Sequence, residues 1–319
     1  MNCSRKLLNE LLGRRQVLIA VHRGIACGDI MENTVDGFRA AKAAGGDIVE
    51  MDVIRSSDGV YYCLHDGMEP RLIGDCGNLG KLSSAQIDKL EYFNMSLTPA
   101  GRIEPFDRIL DTLRGDGLIN IDRSWRYWND GFLDHLASLQ MAEQLILKCP
   151  ANDPVALNAL EQSGHPFLFM PIIGSADQWR MIRKRNLNFV GAELLFTNDE
   201  NEVLTPEFQA EFHDSGLFLW GNAICLGRRQ YNLSAFHDDR GAVLEGADQH
   251  WGYLIDCGFR VIQTDFPAML HSYLASRYPG SRTELCPAAI KESKWHRPTL
   301  NCVPPVSYNS EHSTPINTR

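Results

Sequence analysis

Short apolar runs alternate with longer segments of helical period along most of this chain, the pattern of a parallel α/β protein. Nine runs read as strands: residues 17–22, 48–53, 60–65, 118–122, 145–148, 167–172, 189–195, 217–222 and 261–265. Between several of them, 34–44, 106–113, 127–139, 153–163, 176–185 and 241–257 read as helices. Asn33 before the first helix and Asp153 ahead of Pro154 are residue types suited to a helix start. Residues 66–104 are Gly-rich and polar and read as a long lid loop. The pattern divides the chain into a charged helical segment at 1–16, a body at 17–280 and a polar, proline-dotted tail at 281–319.

Where polar residues interrupt the strands is the most informative feature. Side chains alternate between the two faces of a strand. In the first strand Leu18, Ala20 and His22 share a face; in the second, Glu50 and Asp52 oppose Val49, Met51 and Val53. Asn120 and Asp122 oppose Ile119 and Ile121, and His65 closes the third run. A strand buried on both faces with no site would be apolar throughout. Ionisable groups confined to one face at the C-terminal ends of strands are what a (β/α)₈ (TIM) barrel uses to build a site. The nine runs exceed the eight places in such a barrel by one, so one run is peripheral. Glu50, Asp52 and Asp122 compose an all-oxygen set suited to one hard divalent cation, Mg²⁺ or Ca²⁺.

Length and composition fit this picture. The 319 residues accommodate a barrel of about 250 with short extensions. Charged residues at 22% and hydrophobic residues at 44% are the balance of a globular protein. A net charge of −9 argues against a nucleic-acid partner, although local cations or a metal can still draw an anionic small molecule. Nine cysteines without zinc-type spacing suggest free thiols in a reducing compartment. The apolar run 17–21 is too short for a signal core and no stretch has the length of a membrane span, so the expected location is the cytoplasm.

His22-Arg23-Gly24, Glu32-Asn33-Thr34, Phe38, Gly46, Glu50-x-Asp52, Asp58-Gly59 and His65-Asp66 together resemble the opening signature of the glycerophosphodiester phosphodiesterases. Trp220-x-Asn222 and Gly258 with Ile262-Gln263-Thr264-Asp265-Phe266-Pro267 extend the resemblance to about Leu274. The resemblance implies a barrel with a divalent ion and two catalytic histidines, His22 and His65. It implies metal ligation by Glu50 and Asp52, a phosphoryl contact for Arg23, and a supporting place for Glu32 beside the metal or Arg23. The family pattern departs at 120–124. Where it commonly has Glu-x-Lys, this chain has Asp122-Arg123-Ser124. Asp122 can still ligate on a shorter arm, with Asn120 in support. Ser124 cannot supply the cation, so Lys148, of matching parity, is assigned to phosphate; Arg123 is expected to point away.

The implied reaction is metal-dependent hydrolysis of a small soluble phosphodiester to an alcohol and a phosphomonoester. One histidine accepts a proton from the attacking oxygen and the other protonates the leaving alkoxide. Two alternatives share the site: a sugar-phosphodiester enzyme of agrocinopine type, hydrolase or synthase, and a barrel that binds phosphodiesters without turnover. Trp220 is either a substrate platform or core filler. Asp265 reads as the start of the last helix, and His237-Asp238-Asp239 as a solvated turn or helix start. Oligomeric state has no signature in the sequence.

Overall fold

The computed structural model describes residues 5–74, 76–227, 231–282 and 285. The expected tail at 281–319 therefore lies almost wholly outside the described residues, as do residues 1–4 of the N-terminal segment. The chain forms a closed barrel of parallel strands. In chain order the strands are β1 (Leu18–Val21), β2 (Ile48–Arg55), β3 (Tyr61–Cys63), β4 (Glu91–Phe93), β5 (Pro99–Arg102) and β6 (Leu118–Asp122). They continue as β7 (Leu145–Pro150), β8 (Leu168–Ile173), β9 (Gly191–Leu194), β10 (Phe218–Asn222) and β11 (Val261–Thr264). The ring runs β1-β11-β10-β9-β8-β7-β6-β2 and closes by pairing β2 with β1, eight strands in all.

The supernumerary run is 60–65. Only its first part is strand, and β3 pairs antiparallel with β2 through Val53 and Cys63, outside the ring. The reason is local. Asp58-Gly59 forms a tight turn, with Gly59 at φ +94°, so the chain doubles back before a crossover can form.

Strand parity sorts two apolar layers. Val49, Met51, Ile119, Ile121 and Leu147 face outward and pack with the surrounding helices. Leu18, Ala20, Ile48, Leu118, Ile146, Leu168, Met170 and Trp220 fill the barrel interior. Helix α1 (Lys6–Arg14) contributes Leu8 to this inner cluster, with Leu7, Leu11 and Leu12 at its margin. The N-terminal helix thus plugs the end of the barrel away from the strand C-termini, and the site is left to the opposite end.

Residues 66–104 are not the plain loop that their polarity suggests. They contain helices Glu69–Leu72 and Ser84–Ile87 and the β4–β5 hairpin. Tyr62, Leu64, Leu72, Ile73, Leu79, Ile87, Tyr92 and Ile103 form a third apolar cluster beneath them. Buried Glu69 accepts hydrogen bonds from the Gly67 and Leu79 amides (2.6 and 3.1 Å), which fixes the segment that follows His65. This core was concealed because its members are few and scattered among polar residues, with no helical or strand period.

Two helix starts illustrate how local chemistry positions the site. Asp153 caps its helix as expected, accepting from the Val155 and Ala156 amides. At helix α2 (Val35–Ala43) the cap is Thr34, which accepts from Gly37; Asn33 is used elsewhere. Among the described residues, no helix is long and apolar enough to cross a membrane.

Candidate active site

His22, Arg23, His65, Glu32, Asp265, Arg71 and Arg123 line a cavity of about 810 Å³ at the C-terminal end of the barrel. Below it, a smaller cavity of about 150 Å³ is lined by His22, Asp52, His65, Asp122, Lys148, Glu193, Asn222 and Gln263. The β2–β6 register sets Glu50 beside Asn120 and Asp52 beside Asp122, so the carboxylates stack on the inward face. One oxygen each from Glu50, Asp52 and Asp122 lies within 4.8 Å of the others.

The turn after β1 is built for close approach. Arg23 takes a left-handed φ of +56°, and its amide donates to Glu50 (2.8 Å). Gly24 follows at φ +74°, where a Cβ would come within 2.8 Å of the Gly37 backbone, so only glycine fits. Arg23 extends between Asp52 and Glu32, both at 3.1 Å. Asn33, also left-handed at φ +57°, exchanges two hydrogen bonds with Asp52: its amide donates to Asp52 Oδ2 (3.1 Å) and its carbonyl accepts from the Asp52 backbone (3.0 Å). These strained residues surround the same carboxylate, the clustering expected where local geometry serves a site.

Arg23 pairs with Asp52 and Lys148 with Asp122, while Glu50 takes its bond from the Arg23 backbone amide. Burial, and then the neighbouring Asp52, push the Glu50 carboxyl up to about 8. Asp122 differs. Burial would raise it, but Lys148 at 2.9 Å outweighs burial and holds it below its ordinary value. A hard divalent cation suits this donor set, which offers oxygen ligands alone. Asn120 sits behind the triad, donating to the Ile146 carbonyl (3.0 Å).

The two histidines are in opposite electrostatic settings. At His22 burial opposes the charged form, yet the hydrogen bond to Asp265 (2.9 Å) and the charges of Asp265 and Glu50 prevail, so its pKa is raised. At His65 burial dominates, with Arg23 and Arg123 adding to it against Asp52, and its pKa is lowered. His65 Nδ1 donates to the Asp66 carbonyl (2.7 Å), and Nε2 accepts from Arg123 Nη2 (2.6 Å). That pattern describes a neutral imidazole with its lone pair on Nε2.

Several expectations are corrected here. Trp220 is not a substrate platform. It is fully buried in the barrel, donating to Gln263 Oε1 (3.2 Å), with Lys148 Nζ 5.9 Å from its ring centroid. Lys148 is only 2% exposed and is clamped between Asp122 and Glu193 (3.0 Å). Burial opposes its charge, but these two carboxylates and Glu50 hold its pKa well above the ordinary range. Its charge is already committed to carboxylates. Arg123 does not point away: φ +59° turns it back to the mouth, where it lines both cavities.

Asp238 does start a helix, Asp239–Leu244, accepting from the Gly241 amide. Asp239 is not solvated, however. It is 1% exposed and accepts from Trp251 Nε1 (2.8 Å), Thr264 Oγ1 (2.7 Å) and the Asp265 amide (2.7 Å). Burial, and next the charge of Asp265, raise its pKa to about 7. Through these bonds Asp239 fixes Asp265, which in turn holds His22. Asp265 and Glu193 also line the cavities, and neither is among the site residues expected from the sequence. Glu193, a lone charge in an apolar strand, carried a visible signal; Asp265 resembled a helix start.

Residues 22–125 match the model of the glycerophosphoryl diester phosphodiesterase family, and residues 169–274 match a domain family of unknown function. The chain is similar to glycerophosphodiester phosphodiesterase 1 of Rattus norvegicus, 37% identical over 87 residues, 27% of this chain and 26% of that protein. The Homo sapiens protein of the same name is 34% identical over 87 residues, again 26% of its length. The matched segment therefore spans about a quarter of these curated relatives. Among solved structures, a glycerophosphoryl diester phosphodiesterase from Parabacteroides distasonis superposes with a TM-score of 0.66 at 15% identity, covering 89% of this chain and 96% of that one. A phosphodiesterase from Oleispira antarctica, in complex with the product sn-glycerol-3-phosphate, gives 0.56 at 15%, covering 82% and 98%. At such identities the structural likeness establishes the barrel.

Proposed function

We propose that this chain, whose family model, curated relatives and structural neighbours all indicate the glycerophosphodiester phosphodiesterases, hydrolyses a small soluble phosphodiester to an alcohol and a phosphomonoester. The observation that carries this reading is that two oppositely tuned histidines share one cavity with Asp52 and Asp122, members with Glu50 of a clustered carboxylate triad. His65, neutral with its lone pair on Nε2, takes the proton of a water attacking phosphorus. His22, whose pKa the charge and hydrogen bond of Asp265 raise, delivers a proton to the departing alkoxide, so that one P–O bond forms as another breaks. General acid–base help of this kind is typically worth about 10²–10⁴-fold.

Glu50, Asp52 and Asp122 would hold one divalent cation, Mg²⁺ or Ca²⁺, whose chemistry is to polarise a phosphoryl oxygen and offset the charge of the diester. Arg23 lines the cavity wall, where Glu32 and Asp52 hold its guanidinium. The cavity of about 810 Å³ suits a small-molecule diester such as a glycerophosphodiester. The expected setting remains the cytoplasm.

The test is to incubate the purified protein with glycerophosphocholine, glycerophosphoethanolamine and a sugar phosphodiester, with and without Mg²⁺ or Ca²⁺, beside His22→Ala. The expected result is cation-dependent release of alcohol that the substitution abolishes. Cation binding without turnover of any diester would overturn the hydrolase reading in favour of a binding barrel.

A further inference from the structure

Resting on the phosphodiesterase reading above, we propose that Arg123 is the phosphate-binding cation of this site and also a cover over the base. It leaves His65 Nε2 when the diester arrives. Ser124, the next residue, is uncharged and fully buried, accepting from Trp128 Nε1 (3.2 Å). Lys148 is held by Asp122 and Glu193 at 2.9 and 3.0 Å. Arg23 is held by Asp52 and Glu32, and Arg71 by Glu32.

Arg123 is placed differently. Its left-handed backbone, φ +59°, is steadied by the Arg123 amide donating to Asp122 Oδ1 (2.6 Å), one residue from the triad. That conformation brings the guanidinium into both cavities. There its Nη2 donates to an imidazole (2.6 Å), and its Nη1 lies 3.4 Å from an Asp66 oxygen. Arg126 holds the other oxygen of Asp66, Oδ2, at 2.6 Å. A guanidinium whose closest partner is a neutral ring gains by exchanging that ring for a phosphoryl oxygen, which takes a charge-assisted and often bidentate bond.

The exchange has a chemical consequence. While Arg123 donates to His65 Nε2, that nitrogen's lone pair is occupied and cannot accept a proton from water. A phosphoryl group that draws Arg123 away frees Nε2 as it binds, so the base is exposed only beside a substrate. Proton transfer then proceeds with the cation on phosphate and the base uncovered, with no further reagent required.

Two measurements on the full chain decide the matter, using Arg123→Gln and Arg123→Lys. The first is calorimetric binding of sn-glycerol 3-phosphate in the presence of Mg²⁺. The second is carbethoxylation of His65 by diethyl pyrocarbonate without ligand, followed by mass spectrometry. For Arg123→Gln the expected results are at least 10-fold weaker binding and several-fold faster His65 modification. Arg123→Lys should recover most of the binding while leaving His65 modification fast, since a lysine ammonium lacks the planar fork. Where turnover is measurable, Arg123→Gln should raise KM as well as lower kcat. Binding by Arg123→Gln within threefold of the unsubstituted protein, or His65 modification unchanged in whichever variant folds, would overturn the proposal. Neither readout needs turnover, so failure of the hydrolase reading and failure of this one are separable.

Discussion

Replacing Asp265 with Asn should slow the reaction by removing the charge that favours protonated His22, while leaving the fold intact. Asp265 Oδ1 accepts from His22 Nδ1 at 2.9 Å, and an amide oxygen can occupy the same place. A hydrogen bond to a charged group contributes about 1.5–3 kcal/mol. Because the Asp265 side chain is 42% exposed, solvent screening argues for the lower end, about 1.5 kcal/mol, or roughly tenfold. Loss of tautomer control adds to this, and the expected fall in kcat/KM is about 10–100-fold. The pH profile supplies the sharper readout. Asp265 raises the His22 pKa, so protonated His22 persists to higher pH than an ordinary histidine. Without the carboxylate, the alkaline limb of kcat/KM should move to lower pH, while the acid limb, assigned to His65, stays in place. The same raised pKa makes the contribution of His22 to stability complete below about 6.5 and lost as pH rises through the folded value. A loss under threefold with an unmoved alkaline limb would refute the assignment of His22 as acid.

Further outcomes follow from the same geometry. Without a cation, the folded protein should lose stability as pH rises from 4.5 to about 8, because Glu50 holds its proton in the fold but not in the unfolded chain. Mg²⁺ or Ca²⁺ at a hundredfold excess over Kd should restore about 2.7 kcal/mol, seen as a higher Tm that EDTA reverses and that Glu50→Gln abolishes. Asp239→Asn should cost about 1–3 kcal/mol, since an amide cannot accept from all three of Trp251, Thr264 and Asp265, and kcat should fall with it; equal Tm and kcat in thermal and kinetic assays would contradict this. Trp220→Phe should lower Tm by about 1 kcal/mol equivalent through the Gln263 bond while KM stays constant, and a large KM increase would reinstate Trp220 as a substrate contact.

The barrel was legible because strand parity is a local property. Leu18-Ala20-His22, Glu50-Asp52 and Asn120-Asp122 each declare an inward face within a few residues, and those faces converge in the structure. The triad followed from the same alternation. What stayed hidden depends on distant pairing. His22 meets Asp265 across 243 residues, and Lys148 meets Glu193 across 45. No periodicity announces either contact. Arg123 was misplaced because parity presumes extended backbone, and its left-handed φ breaks the alternation just past the strand end. Trp220 was ambiguous because an inward aromatic has the same pattern whether it lies at the mouth or in the sealed interior. The helical stretch at 241–257 is interrupted by a π-turn at Asp248–Gly252, a backbone choice to which side-chain pattern is blind.

Attack of water on phosphorus is the centre of the account, and ³¹P NMR of turnover in H₂¹⁸O tests it most directly. With Mg²⁺ or Ca²⁺ present, a glycerophosphodiester should give a phosphomonoester carrying one ¹⁸O from solvent, and His65→Gln should suppress its formation. Accumulation of a cyclic phosphodiester free of ¹⁸O, or no new phosphorus signal with the cation bound, would contradict it.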